Sequence, residues 1–200
     1  MLSDLRSALR PALVLTLLFA LLLGLAYPMA LTGIGQALFP YQANGSLVRD
    51  GDRVIGSALI GQAFASDRYF HGRPSAAGAN GYDATASAGS NLGPASKALA
   101  ERVRNEAQAL AAIAPGRPVP PDLVTTSASG LDPHISPEAA LYQVDRVANA
   151  RGLPVERVRA LVRAQIEYPL LGFIGEPRVN VLALNRVLDR ETLDREAGGN

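Results

Sequence analysis

The feature that most constrains this chain is a long uncharged stretch close to its N-terminus. No Asp, Glu, Lys or Arg occurs between Pro11 and Val48, and residues 12–31 are rich in leucine and almost wholly apolar. Twenty residues of α-helix span about 30 Å, the thickness of the hydrocarbon core of a bilayer. Insertion of a leucine-rich segment of this length into a lipid bilayer is favourable. The sequence therefore predicts a transmembrane helix over residues 12–31, which Gly33, Gly35 and Pro40 then bring to an end.

Two other interpretations of this stretch are weaker. A cleaved signal peptide has an apolar region of about 7–15 residues followed by small residues at the cleavage site. The apolar run here is longer, and residues 26–31 contain no Ala-x-Ala pattern. A buried helix of a soluble domain would carry a polar face, but this segment is apolar on all sides. A retained anchor is favoured.

The flanking charges predict the orientation of the anchor. Arg6 and Arg10 precede it, whereas the first charge on the other side is Arg49. By the positive-inside rule, residues 1–11 form a cytoplasmic N-terminus. Residues 32–200 are then an extracytoplasmic domain, periplasmic or extracellular.

Composition limits what that domain can be. The chain has 200 residues, which leaves one domain of ordinary size beside the anchor. It has no cysteine, and this excludes disulfides, thiolate metal sites and a cysteine nucleophile. The net charge of +1 gives no electrostatic basis for binding nucleic acid.

Turn and capping residues divide the domain into a hairpin followed by helices. Asp50-Gly51 has the chemistry of a tight turn and predicts a β-hairpin within residues 44–65. Prolines in the first helical turn, N-cap residues and apolar periodicity predict helices over residues 94–113, 136–151, 154–167 and 181–190. Residues 123–126 are predicted to form a short strand. The predicted fold class is α+β: one N-terminal transmembrane helix, and a soluble domain with a small β-sheet and several helices.

Two polar loops interrupt this pattern and are the best candidates for a functional surface. We name residues 72–94 loop A and residues 127–134 loop B. Three interpretations remain open, namely local turns held by Asx and Ser/Thr bonds, a docking surface for a partner, and capture of a small ligand. The docking interpretation singles out six side chains, which are Arg73, Tyr82, Asp83 and Asn91 in loop A and Asp132 and His134 in loop B.

No catalytic constellation emerges from the sequence. Walker A, H-E-x-x-H, G-x-S-x-G and aspartyl-phosphate motifs are all missing. A metal site would need His71 and His134, the only histidines, together with Asp83 or Asp132, and bonding of such loop residues to the backbone is the better expectation. Ser129, Asp132 and His134 supply the groups of a hydrolase triad, but groups so close in one loop rarely reach triad geometry. We predict neither a catalytic residue nor a metal, and a membrane-tethered hydrolase is the weakest alternative.

Three long strings carry a resemblance to a known family. They are GSALIGQAFASDRYFHGRPSAAGANGYDATASAGSNLGP, VTTSASGLDPHISPEAALYQVDRVANARGL and GEPRVNVLALN. The chain resembles the C subunit of the Kdp-type high-affinity potassium-transporting P-type ATPase, and the resemblance covers nearly its whole length. It implies a non-catalytic accessory subunit in the bacterial inner membrane that is needed for assembly or stabilisation. The implied partners are a channel-like potassium-conducting subunit and an ATP-hydrolysing P-type subunit, beside the lipid bilayer.

The resemblance also implies an alternative role. The family has been described as a catalytic chaperone that raises the ATP affinity of the hydrolysing subunit, and Ser127, Ser129 and Gly130 are then the candidate nucleotide contacts. This description conflicts with an extracytoplasmic domain, because ATP is cytoplasmic. We therefore expect no firmly bound cofactor, and any effect on ATP binding to be coupled through the complex.

Overall fold

The computed structural model describes residues 2–198 and divides the chain into two compact units, residues 1–47 and residues 48–200. The helices are α1 (Leu2–Leu21), α2 (Tyr27–Leu38), α3 (Pro40–Ala43), α4 (Lys97–Ile113), α5 (Pro137–Arg151), α6 (Val155–Ala164) and α7 (Val181–Gly198). The strands are β1 (Leu47–Asp50), β2 (Arg53–Ser57), β3 (His134–Ile135), β4 (Ile166–Glu167) and β5 (Arg178–Asn180). The predicted α+β class is confirmed.

The first unit is dominated by one long helix. A π-helical turn, Leu22–Ala26, joins α1 to α2 without a break. Within the part of the chain that the structure describes, Arg6–Leu38 is the one helix long and apolar enough to cross a membrane, and its side chains are exposed.

The prediction that Gly33 and Gly35 end this helix is wrong. The helix runs through both glycines to Leu38, and the amide of Phe39 still donates to the carbonyl of Gly35 at 2.8 Å. A glycine inside a helix costs only about 1 kcal/mol relative to alanine. In an apolar segment, the need to pair every backbone polar group outweighs that penalty.

The second unit contains two small sheets. Strands β1 and β2 form the predicted hairpin, while β5 lies between β3 and β4 in an antiparallel sheet. In that sheet Ile135 and Ile166 both lie opposite Val179. Residues 166–167 therefore belong to a strand, and the prediction that they end a helix is wrong.

Two further boundaries differ from prediction because of local chemistry. The predicted strand at residues 123–126 is wrong: Leu123 ends a 3-10 turn, Pro121–Leu123, and residues 124–126 that follow it are not in a strand. The helix predicted from Pro94 begins instead at Lys97, where the hydroxyl of Ser96 accepts from the amide of Leu99 at 3.5 Å.

The core of the second unit lies around α5. This helix packs against α6, which in turn packs against α7, and Phe70 from the segment before loop A joins the same cluster. The fully buried side chains include Phe70, Val144, Val147, Val158, Val162, Val179, Leu184 and Leu188. This core supplies the rigid base from which loop A leaves.

Candidate functional site

Loops A and B pack against each other and form one surface, which we call the loop pair. The hydroxyl of Ser75 donates to the carbonyl of Gly130 at 2.6 Å, and that of Ser87 donates to the carbonyl of Ser129 at 2.9 Å. Both bonds join segments more than 40 residues apart in the chain. These bonds hold loop A in a defined conformation against loop B.

Arg73 is the main link from loop A to the segment around loop B. Its guanidinium donates to the carbonyls of Thr125 at 3.2 Å and Thr126 at 3.4 Å. The same group lies 3.4 Å from the Asp132 carboxylate, and both side chains are about a quarter exposed. Because several charge-assisted bonds converge on one side chain, Arg73 stabilises the arrangement more than a single surface ion pair would.

Tyr82 closes loop A on itself. Its hydroxyl donates to the carbonyl of Arg73 at 2.5 Å, and its amide donates to the hydroxyl of Ser75 at 2.7 Å. Burial, and secondarily the nearby Asp132 carboxylate, raises the pKa of Tyr82 to about 12. The phenol is thus a neutral hydrogen-bond donor at physiological pH.

Asp132 and His134 form the polar centre of loop B. The amide of His134 donates to Asp132 Oδ1 at 2.9 Å, and His134 Nδ1 lies 3.5 Å from the same oxygen. The hydrogen bond from the His134 side chain is the main cause that holds the pKa of Asp132 below its ordinary value. The carboxylate therefore contacts His134 and Arg73 together.

Asp83 and Asn91 make no hydrogen bond or ion pair with the polar residues just described, Arg73, Tyr82, Asp132 and His134. Asp83 is exposed, and its Oδ1 accepts from the amide and hydroxyl of Thr85 at 2.9 and 2.7 Å, which lowers the pKa of Asp83. Asn91 is exposed and has a φ of 51°. The structure thus brings together Arg73, Tyr82, Asp132 and His134, and leaves the other two on the outer part of loop A.

The three candidate nucleotide contacts make mostly internal bonds. Gly130 is buried; its amide donates to the carbonyl of Ser127 at 3.3 Å, and its carbonyl is occupied by Ser75. The Ser129 hydroxyl accepts from the amide of Leu131 at 3.1 Å and lies 3.5 Å from the Ser127 hydroxyl. Neither bond joins Ser129 to His134, whereas Asp132 and His134 are paired.

Glycine is required where the two loops approach most closely. Gly130 has a φ of +67°, and a β-carbon there would lie 2.8 Å from the amide nitrogen of Ala77. A β-carbon on Gly89 would lie 2.9 Å from the carbonyl oxygen of Ala128. Backbone thus packs directly on backbone, and the loop pair has little room to deform.

Two buried amide side chains hold the start of loop A, and neither was singled out from the sequence. Gln143 accepts from the amide of His71 at 2.8 Å and donates to its carbonyl at 3.1 Å. Asn185 makes the equivalent pair of bonds with Phe70. The available signal was an amide residue within the apolar pattern of a predicted helix, which is typical of a satisfied buried polar group.

An open cavity of about 810 Å³ borders the loop pair and carries charges of both signs. Its charged lining comprises Arg73, Asp122, Asp132, Glu138, Glu176 and Arg178. Among the residues whose side chains the structure describes, no three His, Asp or Glu are grouped so that they could hold a metal ion. The cavity thus presents charges of both signs beside the loop pair.

Comparison with known proteins gives matches along almost the full chain. The profile of the family KdpC, the c chain of the K+-transporting ATPase, matches residues 9–190. A potassium-transporting ATPase KdpC subunit of Caulobacter vibrioides is 65% identical over 184 residues, which cover 92% of this chain and 93% of the relative. The subunit of the same name from Methylorubrum extorquens is 58% identical over 191 residues, covering 90% of this chain and 95% of the relative.

Proposed function

The chain belongs to the KdpC family of K+-transporting ATPase c chains, and from this premise we propose that it is a non-catalytic accessory subunit of an ATP-driven potassium import complex. Its role is to support assembly and stability of that complex. The resemblance predicted from the sequence is thus confirmed at the level of the family. The observation that carries the proposed role is the loop pair, a preformed surface whose polar groups are largely occupied in holding its own shape.

We propose that the loop pair docks on the membrane subunits of the complex. Preformed surfaces lose little conformational entropy on binding, which favours affinity. The outer part of loop A offers exposed small and polar residues, such as Ala84 and Asn91, that let a partner approach closely. The partners in this proposal are the channel-like potassium-conducting subunit and the P-type subunit that hydrolyses ATP.

We also propose that the domain lies outside the cytoplasm, with residues 1–11 inside. Any influence on ATP binding is then allosteric and carried by subunit contacts. A chaperone that binds ATP directly through Ser127, Ser129 and Gly130 is the alternative. The bonds that Gly130 makes inside the loop pair support the allosteric version, because they leave its backbone few groups for a nucleotide.

The test is a bulky substitution at an exposed alanine that disturbs docking but not folding. Ala84→Trp places a large side chain on the exposed face of loop A, and Ala160→Trp places the same side chain on the exposed face of α6. We expect Ala84→Trp to reduce recovery of the assembled complex several-fold on affinity purification, with Ala160→Trp close to wild type. Equal recovery of both variants would remove loop A from the docking surface.

A further inference from the structure

The connection between β4 and β5 exposes a cluster of large apolar side chains. Residues 168–174, which we call the apolar tip, read Tyr-Pro-Leu-Leu-Gly-Phe-Ile. Their exposed fractions are 75% for Tyr168, 69% for Leu170, 75% for Leu171, 76% for Phe173 and 53% for Ile174. Single exposed apolar side chains are ordinary, but five within seven consecutive residues mark an interaction site.

The apolar tip has few groups for directional recognition. No residue from 168 to 175 is charged, and the Tyr168 hydroxyl is the only polar side-chain group among them. At its base, Arg178 and Glu167 neutralise each other through an ion pair of 3.0 Å. Protein docking surfaces usually carry a polar rim with direct hydrogen bonds, whereas a lipid surface requires only apolar area.

The backbone of the apolar tip is also arranged for an apolar medium. The amides of Gly172 and Ile174 donate within the tip, to Pro169 at 3.0 Å and Leu170 at 3.0 Å. Phe173 donates to the carbonyl of Leu170 at 3.4 Å, and Pro169 has no amide hydrogen to satisfy. Internal pairing of this kind lowers the penalty for moving backbone out of water.

We propose that the apolar tip inserts into the interfacial region of the lipid bilayer. Lipid is the occupant we infer, because the same chain carries a helix long and apolar enough to cross a membrane, and such a helix tethers the second unit to a bilayer. Tyr and Phe favour the membrane interface, and leucine and isoleucine favour the acyl region beneath it. The second unit then has its own membrane contact, independent of the loop pair and of the proposed docking on other subunits.

The chain offers a direct optical test because it contains no tryptophan. Phe173→Trp places a single fluorophore in the apolar tip, and Leu193→Trp places one at a matched site on α7 that is 63% exposed. Each full-length variant is reconstituted in phosphatidylcholine vesicles with and without lipids brominated on the upper acyl chain. We expect blue-shifted emission and at least three-fold stronger quenching by bromine for Phe173→Trp than for Leu193→Trp.

Water-like emission and equal, weak quenching of both variants would overturn the proposal. The chain also lacks cysteine, so Phe173→Cys can carry an environment-sensitive dye in the complex assembled with cysteine-free partner subunits. Quenching of this dye by brominated lipid in the complex supports lipid insertion. A blue shift without lipid quenching would assign the apolar tip to a contact with another subunit and would also overturn the proposal.

Discussion

The side-chain amide of Asn185 forms two hydrogen bonds with the backbone of Phe70. It accepts from the Phe70 amide at 2.8 Å and donates to the Phe70 carbonyl at 3.0 Å, across 115 positions of sequence. Asn185 is 1% exposed and Phe70 is fully buried. With the parallel pair between Gln143 and His71, this contact fixes the point at which the chain leaves the core and enters loop A.

Removing this contact should destabilise the domain strongly. Asn185→Ala leaves the buried amide and carbonyl of Phe70 without partners, and each unsatisfied group costs about 1–3 kcal/mol. We expect the free energy of unfolding to fall by about 2–5 kcal/mol. Denaturant unfolding of the full chain in detergent micelles, followed by tyrosine fluorescence, measures this change.

Asn149 provides the matched control, because it is an exposed asparagine on α5. Asn149→Ala should change the free energy of unfolding by less than about 0.5 kcal/mol. Similar effects of the two substitutions would mean that the bonds to Phe70 contribute little.

A second prediction concerns the close approach of loops A and B at Gly130. Gly130→Ala adds a β-carbon to a residue with φ of +67° and beside the amide of Ala77. Gly116→Ala makes the same change at φ of +79°, where nothing lies within 4 Å. Both variants carry the strain of a left-handed alanine, about 1 kcal/mol, but only Gly130→Ala adds about 1–3 kcal/mol of overpacking.

Unfolding of the two variants under identical conditions isolates the packing contribution. We expect Gly130→Ala to be the less stable by about 1–3 kcal/mol and to show faster hydrogen exchange at loop amides such as Gly61 and Gly130. Equal stability would show that the loops can separate at little cost, contrary to the rigid surface described above.

Short-range interactions in this fold are predictable from the sequence, whereas long-range ones are not. The helices predicted over residues 136–151 and 181–190 begin as predicted, and the bonds that cap them, from the amide of Ala139 to Ser136 and from the amide of Ala183 to Asn180, each span three positions. The bonds that Arg73 makes around loop B span more than 50 positions, and no local signal encodes their partners.

The apolar tip shows a different limit of sequence reasoning. Apolar residues after a predicted helix suggest burial, yet the five large side chains of the apolar tip are exposed, because the two-residue strand β4 ends before them and their turn is closed by its own backbone bonds. Periodicity distinguishes helix from strand, but it does not distinguish an apolar residue facing a core from one facing a membrane.

A third prediction follows from the pKa of Asp132. Because the pKa of this carboxyl is depressed in the folded state, its ionised form stabilises the fold above the ordinary value of 3.8. That contribution is lost as pH falls through the lower, folded-state value. The free energy of unfolding of wild type should therefore exceed that of Asp132→Asn by about 1 kcal/mol at pH 7, and this advantage should disappear as pH falls below the ordinary value of 3.8, measured by unfolding at a series of pH values.

Glu106 should show the opposite pH dependence and serves as an internal comparison. Burial raises the pKa of Glu106, so its protonated form is favoured in the folded state. The stabilisation is complete below the ordinary value of 4.5 and is lost as pH rises through the raised value. Relative to Glu106→Gln, wild type should gain stability on acidification, and parallel pH profiles for the two positions would contradict both assignments.

The last prediction concerns the side of the membrane on which the domain lies. The chain has no cysteine, so a single cysteine can be introduced at either of two exposed positions. Ser3→Cys reports on the N-terminal segment, and Asn149→Cys reports on the domain that follows the long helix. In spheroplasts, a membrane-impermeant maleimide should label Asn149→Cys and should label Ser3→Cys only after permeabilisation. This outcome would exclude contact between Ser129 and cytoplasmic ATP, because the bilayer would separate them. The reverse labelling pattern would place loop B in the cytoplasm, and direct ATP binding would become the better account of the subunit's role.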